Sequence, residues 1–197
     1  MPHLIRKTKN LIIRPLKYSD FKEWKTAHLE MLPPQNKWDR GVKKADQVSL
    51  NHFKKILKEQ KDMRLEDKFY DLSVFEKKTG RLVGAVAAMD IHRGLGQSAY
   101  LGYRIYNRYW GKGYGKESTL AMVDISFRDI KLHRLEAGIE KSNRRSILLA
   151  RAVGLRKEGF KKKAVYLGGK WIDLVVYAVT CEDMGIKWKG IPKSRLR

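Results

Sequence analysis

The stretch Tyr100-Leu-Gly-Tyr-Arg-Ile-Tyr-Asn-Arg-Tyr-Trp-Gly-Lys-Gly-Tyr-Gly-Lys-Glu117 reads as a β-strand, a short glycine-rich loop and the first turn of a helix. Its loop, Trp110-Gly111-Lys112-Gly113-Tyr114-Gly115, sets glycines at alternate positions. Glycine tolerates positive φ and lets a bound group come close to the backbone. The amides of such a loop, with the free N–H groups of the helix that follows, make an anion site. Lys112 and Lys116 add positive charge. A nucleotide-bearing cofactor is the ligand this arrangement suits.

Two common phosphate loops fail here. A Walker A loop needs glycine where Trp110 stands and Ser or Thr where Glu117 stands. A dinucleotide fingerprint needs its third glycine at Lys116; Glu136 supplies the acidic residue downstream, but only one strand–helix–strand unit follows the loop. A glycine-rich turn without a ligand remains the plain alternative.

Length and composition narrow the field. The chain has 197 residues, 43% hydrophobic and 32% charged, which suits one globular α/β domain. No apolar run approaches about 18 residues and the start lacks a signal-peptide plan, so a cytoplasmic protein without a membrane span is expected. Cys181 is the single cysteine, and the five histidines show no ligand spacing, so neither a disulfide nor a metal is expected. The net charge of +22 points to an anionic partner (RNA, ribosomal particles or an acidic protein) or else to a solvated basic surface.

Periodicity gives the element order. Residues 4–14 end in a β-rich run closed by Pro15, and Ser19 is the expected N-cap of a helix from Asp20 to about Met31. A helix over 49–65 sets Leu50, Phe53 and Leu57 on one stripe, with Lys54, Lys55, Lys58 and Lys61 outside it. Strands are expected at 69–76, 81–91 and 98–105, and a helix at 116–129. Beyond it come a strand at 134–139, a helix at 143–153 closed by Gly154, and strands near 156–167 and 172–180. The domain is expected to span 1–181, with 182–197 as a basic tail carrying Lys187, Lys189, Lys193, Arg195 and Arg197.

The loop resembles the pyrophosphate loop Gln/Arg-x-x-Gly-x-Gly/Ala of the GNAT acyltransferase superfamily, with Gly113 and Gly115 in the two glycine places. Trp110, in place of Gln or Arg, is the form found in the branch that resembles the RimJ and RimL ribosomal-protein N-acetyltransferases. The resemblance implies the GNAT fold over residues 4–181: a single mixed, mostly antiparallel sheet with a splayed parallel strand pair and about four flanking helices. It also implies acetyl-CoA as the cofactor, held through Trp110, Gly111, Lys112, Gly113, Tyr114, Gly115 and Lys116. The pantetheine arm would lie along the backbone of Tyr103, Arg104 and Ile105 like an added strand. A β-bulge is expected in that strand, with Gly102 as the place for the bend.

Asn143-Arg144-Arg145-Ser146, ending in Gly154-Leu155, resembles a second signature of that branch. There Asn143 implies a cofactor contact, or else an ordinary N-cap. Many relatives carry a tyrosine acid seven residues after that Asn. Ala150 stands here, so Ser146 becomes the candidate proton donor, with a cofactor contact as its other reading. Gly168-Gly169-Lys170-Trp171-Ile172-Asp173 resembles a third, which places Trp171 and Asp173 at the acceptor end of the cleft.

Glu136 is the first candidate for the base, with Asp90 and His92 as alternatives. An α-amine of pKa about 8 is roughly 10% free at pH 7, so a terminal amine asks little of its base. The implied function is acetyl transfer to the N-terminal amine of a protein, a ribosomal one included. Two other readings stay open. One is transfer to a small amine such as a polyamine, amino sugar or antibiotic. The other is a ribosome- or RNA-binding protein whose transferase activity is secondary.

Overall fold

The structure, a computed structural model, describes residues 2–39 and 41–190. Among them runs one eight-stranded sheet in the order β1-β2-β3-β4-β5-β6-β8-β7. Its strands are β1 (Arg6–Lys7), β2 (Leu11–Arg14), β3 (Tyr70–Glu76), β4 (Leu82–His92), β5 (Ser98–Ile105), β6 (Arg134–Glu140), β7 (Arg156–Leu167) and β8 (Lys170–Thr180). The β5–β6 pair is parallel and all other neighbours are antiparallel, which is the mixed α/β sheet of the GNAT fold. Helices α1 (Phe21–Leu29), α2 (Leu50–Leu65), α3 (Tyr114–Arg128) and α4 (Arg144–Ala152) flank it.

Two cores hold these layers together. The larger packs α3 against the sheet through Met122, Val123, Ile125 and Phe127. α3 is buried nearly all round, and two of its hydroxyls find partners inside the helix, while Ser126 Oγ has none. Ser118 Oγ donates to the Tyr114 carbonyl and Thr119 Oγ1 to that of Gly115, both at 2.7 Å. The smaller core gathers Trp24, Phe53, Phe75, Leu82 and Tyr106 beneath α1 and α2. Phe53 is fully buried, as the stripe on α2 predicts.

Several local expectations are corrected. The N-terminal run is a hairpin, because Thr8 turns the chain through its bonds to Leu11. Ser19 does not cap α1. Asp20 takes that place, with its carboxylate on Arg14 and on the Lys17 N–H. The bulge lies in β4, not in β5: pairing steps from Met89↔Tyr100 to His92↔Ser98, and Asp90 takes φ +50°. Gly102 pairs regularly with Ala87; a Cβ there would sit 3.1 Å from Met89 Cε, so close packing explains the glycine. Of the 182–197 segment, Met184, Ile186 and Trp188 pack against the larger core. The expected basic contacts at Lys193, Arg195 and Arg197 lie outside the described residues.

Candidate active site

β5 and β6 pair at Ser98↔Arg134, Ala99↔Leu135 and Tyr100↔Glu136, and then part. Each keeps its other neighbour: β4 follows β5 as far as Ile105, and β8 follows β6 as far as Glu140. From Leu101 to Ile105 the β6-facing edge of β5 therefore has no strand partner. A cleft of about 560 Å³ opens there. Tyr103, Arg104 and Ile105 of β5 line it, as do the glycine loop, the first turn of α3, and Asn143 and Ser146 at the start of α4.

The start of α3 is built differently from those of its neighbours. Ser49 caps α2 by accepting from the His52 N–H, and Asn143 caps α4 by accepting from the Ser146 N–H at 3.2 Å. α3 begins at Gly113 with no side-chain cap, which leaves the amides of its first turn without a side-chain partner. Gly111 and Gly113 take φ of +80° and +79°, and a Cβ on either would project into open space at the cleft. Uncapped amides, room above the glycines and the unpaired edge of β5 fit a diphosphate carrying an extended amide arm.

Side chains brace this cradle. Trp110 Nε1 donates to the Ile105 carbonyl at 2.7 Å, fixing the loop to the end of β5. The Arg145 guanidinium lies 4.5 Å over the Trp110 ring, and Arg145 and Lys116 bring positive charge to the cleft. Lys112 turns away, toward Glu76 at 4.0 Å and the rings of Tyr109 and Tyr114. Tyr114 Oη is occupied by Glu76, which pushes that phenol up to about 12.

Ser146 meets a side chain that the sequence pattern assigns a backbone role alone. Tyr103 Oη stands 2.9 Å from Ser146 Oγ and donates to the Ser146 carbonyl at 3.1 Å. Burial raises the Tyr103 pKa, so the phenol keeps its proton at neutral pH. Ala150, where many relatives carry a tyrosine, is fully buried, and the hydroxyl beside Ser146 is that of Tyr103 on β5. Strict alternation along β5 could have found it, because Leu101 faces the core and Tyr103 shares its face.

The other end of the cleft is closed by residues 36–39, which sequence reasoning missed. Asn107, buried just after β5, donates from Nδ2 to Asp39 and to the Leu32 and Pro33 carbonyls, and accepts from the Leu32 N–H. Asp39, held there at 2.9 Å, is the carboxylate that lines the cleft. Trp38 Nε1 donates to Glu140 at 2.9 Å, and Lys37, Trp38 and Ser142 together hold the Glu140 carboxyl down to about 2. Arg104 lines the cleft without a carboxylate partner among the described residues, its Nε buried and unbonded.

Other expected site residues lie apart from the cleft. Glu136 is paired with Arg134 at 3.0 Å and Lys161 at 3.8 Å. Asp90 and His92 sit at the β4 bulge. Trp171 and Asp173 border a second hollow, where Asp173 Oδ1 accepts from the Lys163 N–H at 2.7 Å and holds a bulge in β7.

Comparison with known proteins agrees with this geometry. The model of the acetyltransferase (GNAT) domain matches residues 10–156. The chain is 30% identical over 177 residues to the Bacillus subtilis (strain 168) protein named "Probable N-acetyltransferase YjcK", covering 90% of this chain and 97% of that protein. It is 31% identical over 115 residues to the Escherichia coli (strain K12) [ribosomal protein uS5]-alanine N-acetyltransferase, over 58% of this chain and 59% of the other. The fold is similar to Mycobacterium smegmatis RimJ in complex with CoA-disulfide, at a TM-score of 0.73 and 21% identity, covering 88% and 83% of the two chains.

Proposed function

The chain belongs to the GNAT acetyltransferase family and uses acetyl-CoA, and on that footing we propose that its acceptor is the N-terminal α-amine of a protein. Ribosomal proteins, made in the cytoplasm, are the class we favour. The observation that carries this reading is Arg104, a cleft-lining residue whose guanidinium lies 5.5 Å over the Tyr106 ring and has no carboxylate partner among the described residues. A polyamine would bring further positive charge against Arg104, Arg145 and Lys116, with Asp39 alone to oppose it. The first residues of a polypeptide bring one amine and a run of carbonyls, which accept hydrogen bonds from a guanidinium. The similarity to the uS5-alanine enzyme supports the same class.

Acetyl-CoA supplies, when bound, a thioester carbonyl for the amine to attack and a thiol that leaves. The amides of Tyr114, Gly115 and Lys116 would hold the diphosphate, and the free edge of β5 at Tyr103–Ile105 would orient the arm. Asp39, pinned by Asn107, receives the amine and takes up the proton it sheds. Ser146 Oγ would give a proton to the departing thiolate and be resupplied by the Tyr103 phenol, 2.9 Å away, once its O–H turns from the Ser146 carbonyl. Direct attack in a ternary complex needs no group beyond these.

The test is mass spectrometry of enzyme with acetyl-CoA and a mixed set of acceptors: ribosomal N-terminal peptides, the same peptides with blocked termini and free lysines, and spermidine. Acetylation confined to free α-amines is the expected result. Modification of spermidine or lysine instead would overturn the assignment.

A further inference from the structure

We propose that the β7–β8 hairpin and the start of α4 form a binding surface for single-stranded RNA, which borders the acetyl-transfer cleft at Glu140 and Trp38. A hollow of about 710 Å³ lies between them. Phe160 and Trp171 line it and are 48% and 59% exposed, with Tyr166 edge-on to Trp171 at 5.6 Å. Lys141, Arg144, Lys163 and Lys170 surround these rings, and none of the four is ion-paired among the described residues. Its two carboxylates are engaged: Glu140 by Lys37, Trp38 and Ser142, and Asp173 by the Lys163 N–H.

Neither edge protection nor self-association accounts for both the rings and the charges. β7 is the edge of the sheet, and lysines on an edge discourage strand addition. Edge protection does not call for exposed rings beside the charges. A second copy would cover the rings but would set its own lysines against these in a molecule of net charge +22. Unpaired bases stack on exposed aromatics while cations follow the phosphates, and duplex bases are not free to do so. Rings interleaved with unpaired cations are the pattern that serves both needs.

Fluorescence anisotropy of a labelled oligouridylate of about twelve nucleotides with the full-length protein tests this across a salt series. Binding should weaken linearly in log salt, and Lys163→Gln with Lys170→Gln should reduce that slope by about 1.4. Trp171→Ala should weaken binding about 10-fold, and Trp171→Phe, which keeps a ring, should recover most of the loss. Thermal stabilisation by CoA confirms that each variant is folded. Absence of binding at low salt, or equal affinity in Trp171→Ala, would overturn the proposal. So would displacement by polyglutamate as readily as by unlabelled oligouridylate at equal charge, because the surface would then serve an acidic polypeptide.

Discussion

The cleft and the hairpin hollow are both suited to anions, but by opposite means. In the cleft the donors are mainly backbone: an uncapped helix start, two glycines at positive φ and a strand edge whose partner has moved away. In the hollow they are the flexible ends of Lys141, Arg144, Lys163 and Lys170 around exposed rings. Backbone donors are fixed in place and select by shape; mobile ammonium groups select by charge and yield to salt. The lysines of α2 show that counting cations does not locate such a surface. Lys58 pairs with Asp62 at 2.6 Å and Lys55 with Glu59 at 3.8 Å, so part of that face neutralises itself. What matters is a cation left without a carboxylate.

The largest expected effect breaks one region and spares the other. Gly113→Val puts a branched Cβ into the open space above the loop and strains a backbone held at φ +79°. CoA affinity measured by calorimetry should fall at least about 100-fold, some 3 kcal/mol. Oligouridylate binding should not change. Unaltered CoA affinity in a folded variant would remove the loop as the diphosphate site.

Next comes the chemistry inside the cleft. Ser146→Ala should lower kcat about 100-fold while CoA affinity stays within a few-fold, which separates proton donation from cofactor contact. Tyr103→Phe should cost less, about 10-fold, because Ser146 can still draw on water. If Tyr103→Phe proves the more damaging, the proton comes from the phenol and Ser146 only positions it.

Much of the fold could be read from the chain because its cues are local. The glycine loop put the start of α3 at 116, two residues beyond its observed start at Tyr114, period-3.6 spacing placed Phe53 inside, and Asn143 and Gly154 bounded α4. Cleft-lining residues were legible where the backbone shapes the cleft. They were not legible where distant segments meet: Asp39, at the cleft, is held by Asn107, 68 positions later. Glu136 stands on a strand that carries a catalytic-looking carboxylate in any alternating pattern, and its pairing with Arg134 and Lys161 is a tertiary fact. Trp171-x-Asp173 read as one motif, yet Asp173 holds a bulge and Trp171 is exposed.

Asn107→Ala should break that long-range contact directly. It removes the partner of the Leu32 amide and of two carbonyls, and leaves Asp39 with the Gln35 N–H alone. Stability should drop by about 1–3 kcal/mol in a denaturant titration. Peptide KM should rise about 10-fold, with kcat less affected, because the loop that presents Asp39 is released. A stability loss with no change in KM would mean that residues 36–39 do not shape the acceptor end.

The smallest effect concerns pH and again divides the two regions. His28 lies buried between Trp24 and Tyr106: its Nδ1–H donates to the Trp24 carbonyl at 2.7 Å, so Nε2 accepts from Tyr106 Oη at 3.4 Å. Burial, with Lys43, Arg104 and His52 nearby, lowers its pKa to about 4. The unfolded chain, with an ordinary histidine near 6.5, therefore binds this proton more readily than the folded one. The contribution is fully present above 6.5 and declines as pH falls from there toward 4. About 1 kcal/mol should be gone by roughly pH 5.5, a few degrees in Tm, and His28→Gln should flatten that part of the profile. Among the described residues no histidine lines the hollow, so oligouridylate affinity at about pH 5.5 should equal that at about pH 7. An affinity that tracked the Tm would tie RNA binding to the His28 core and erase the distinction between the two sites.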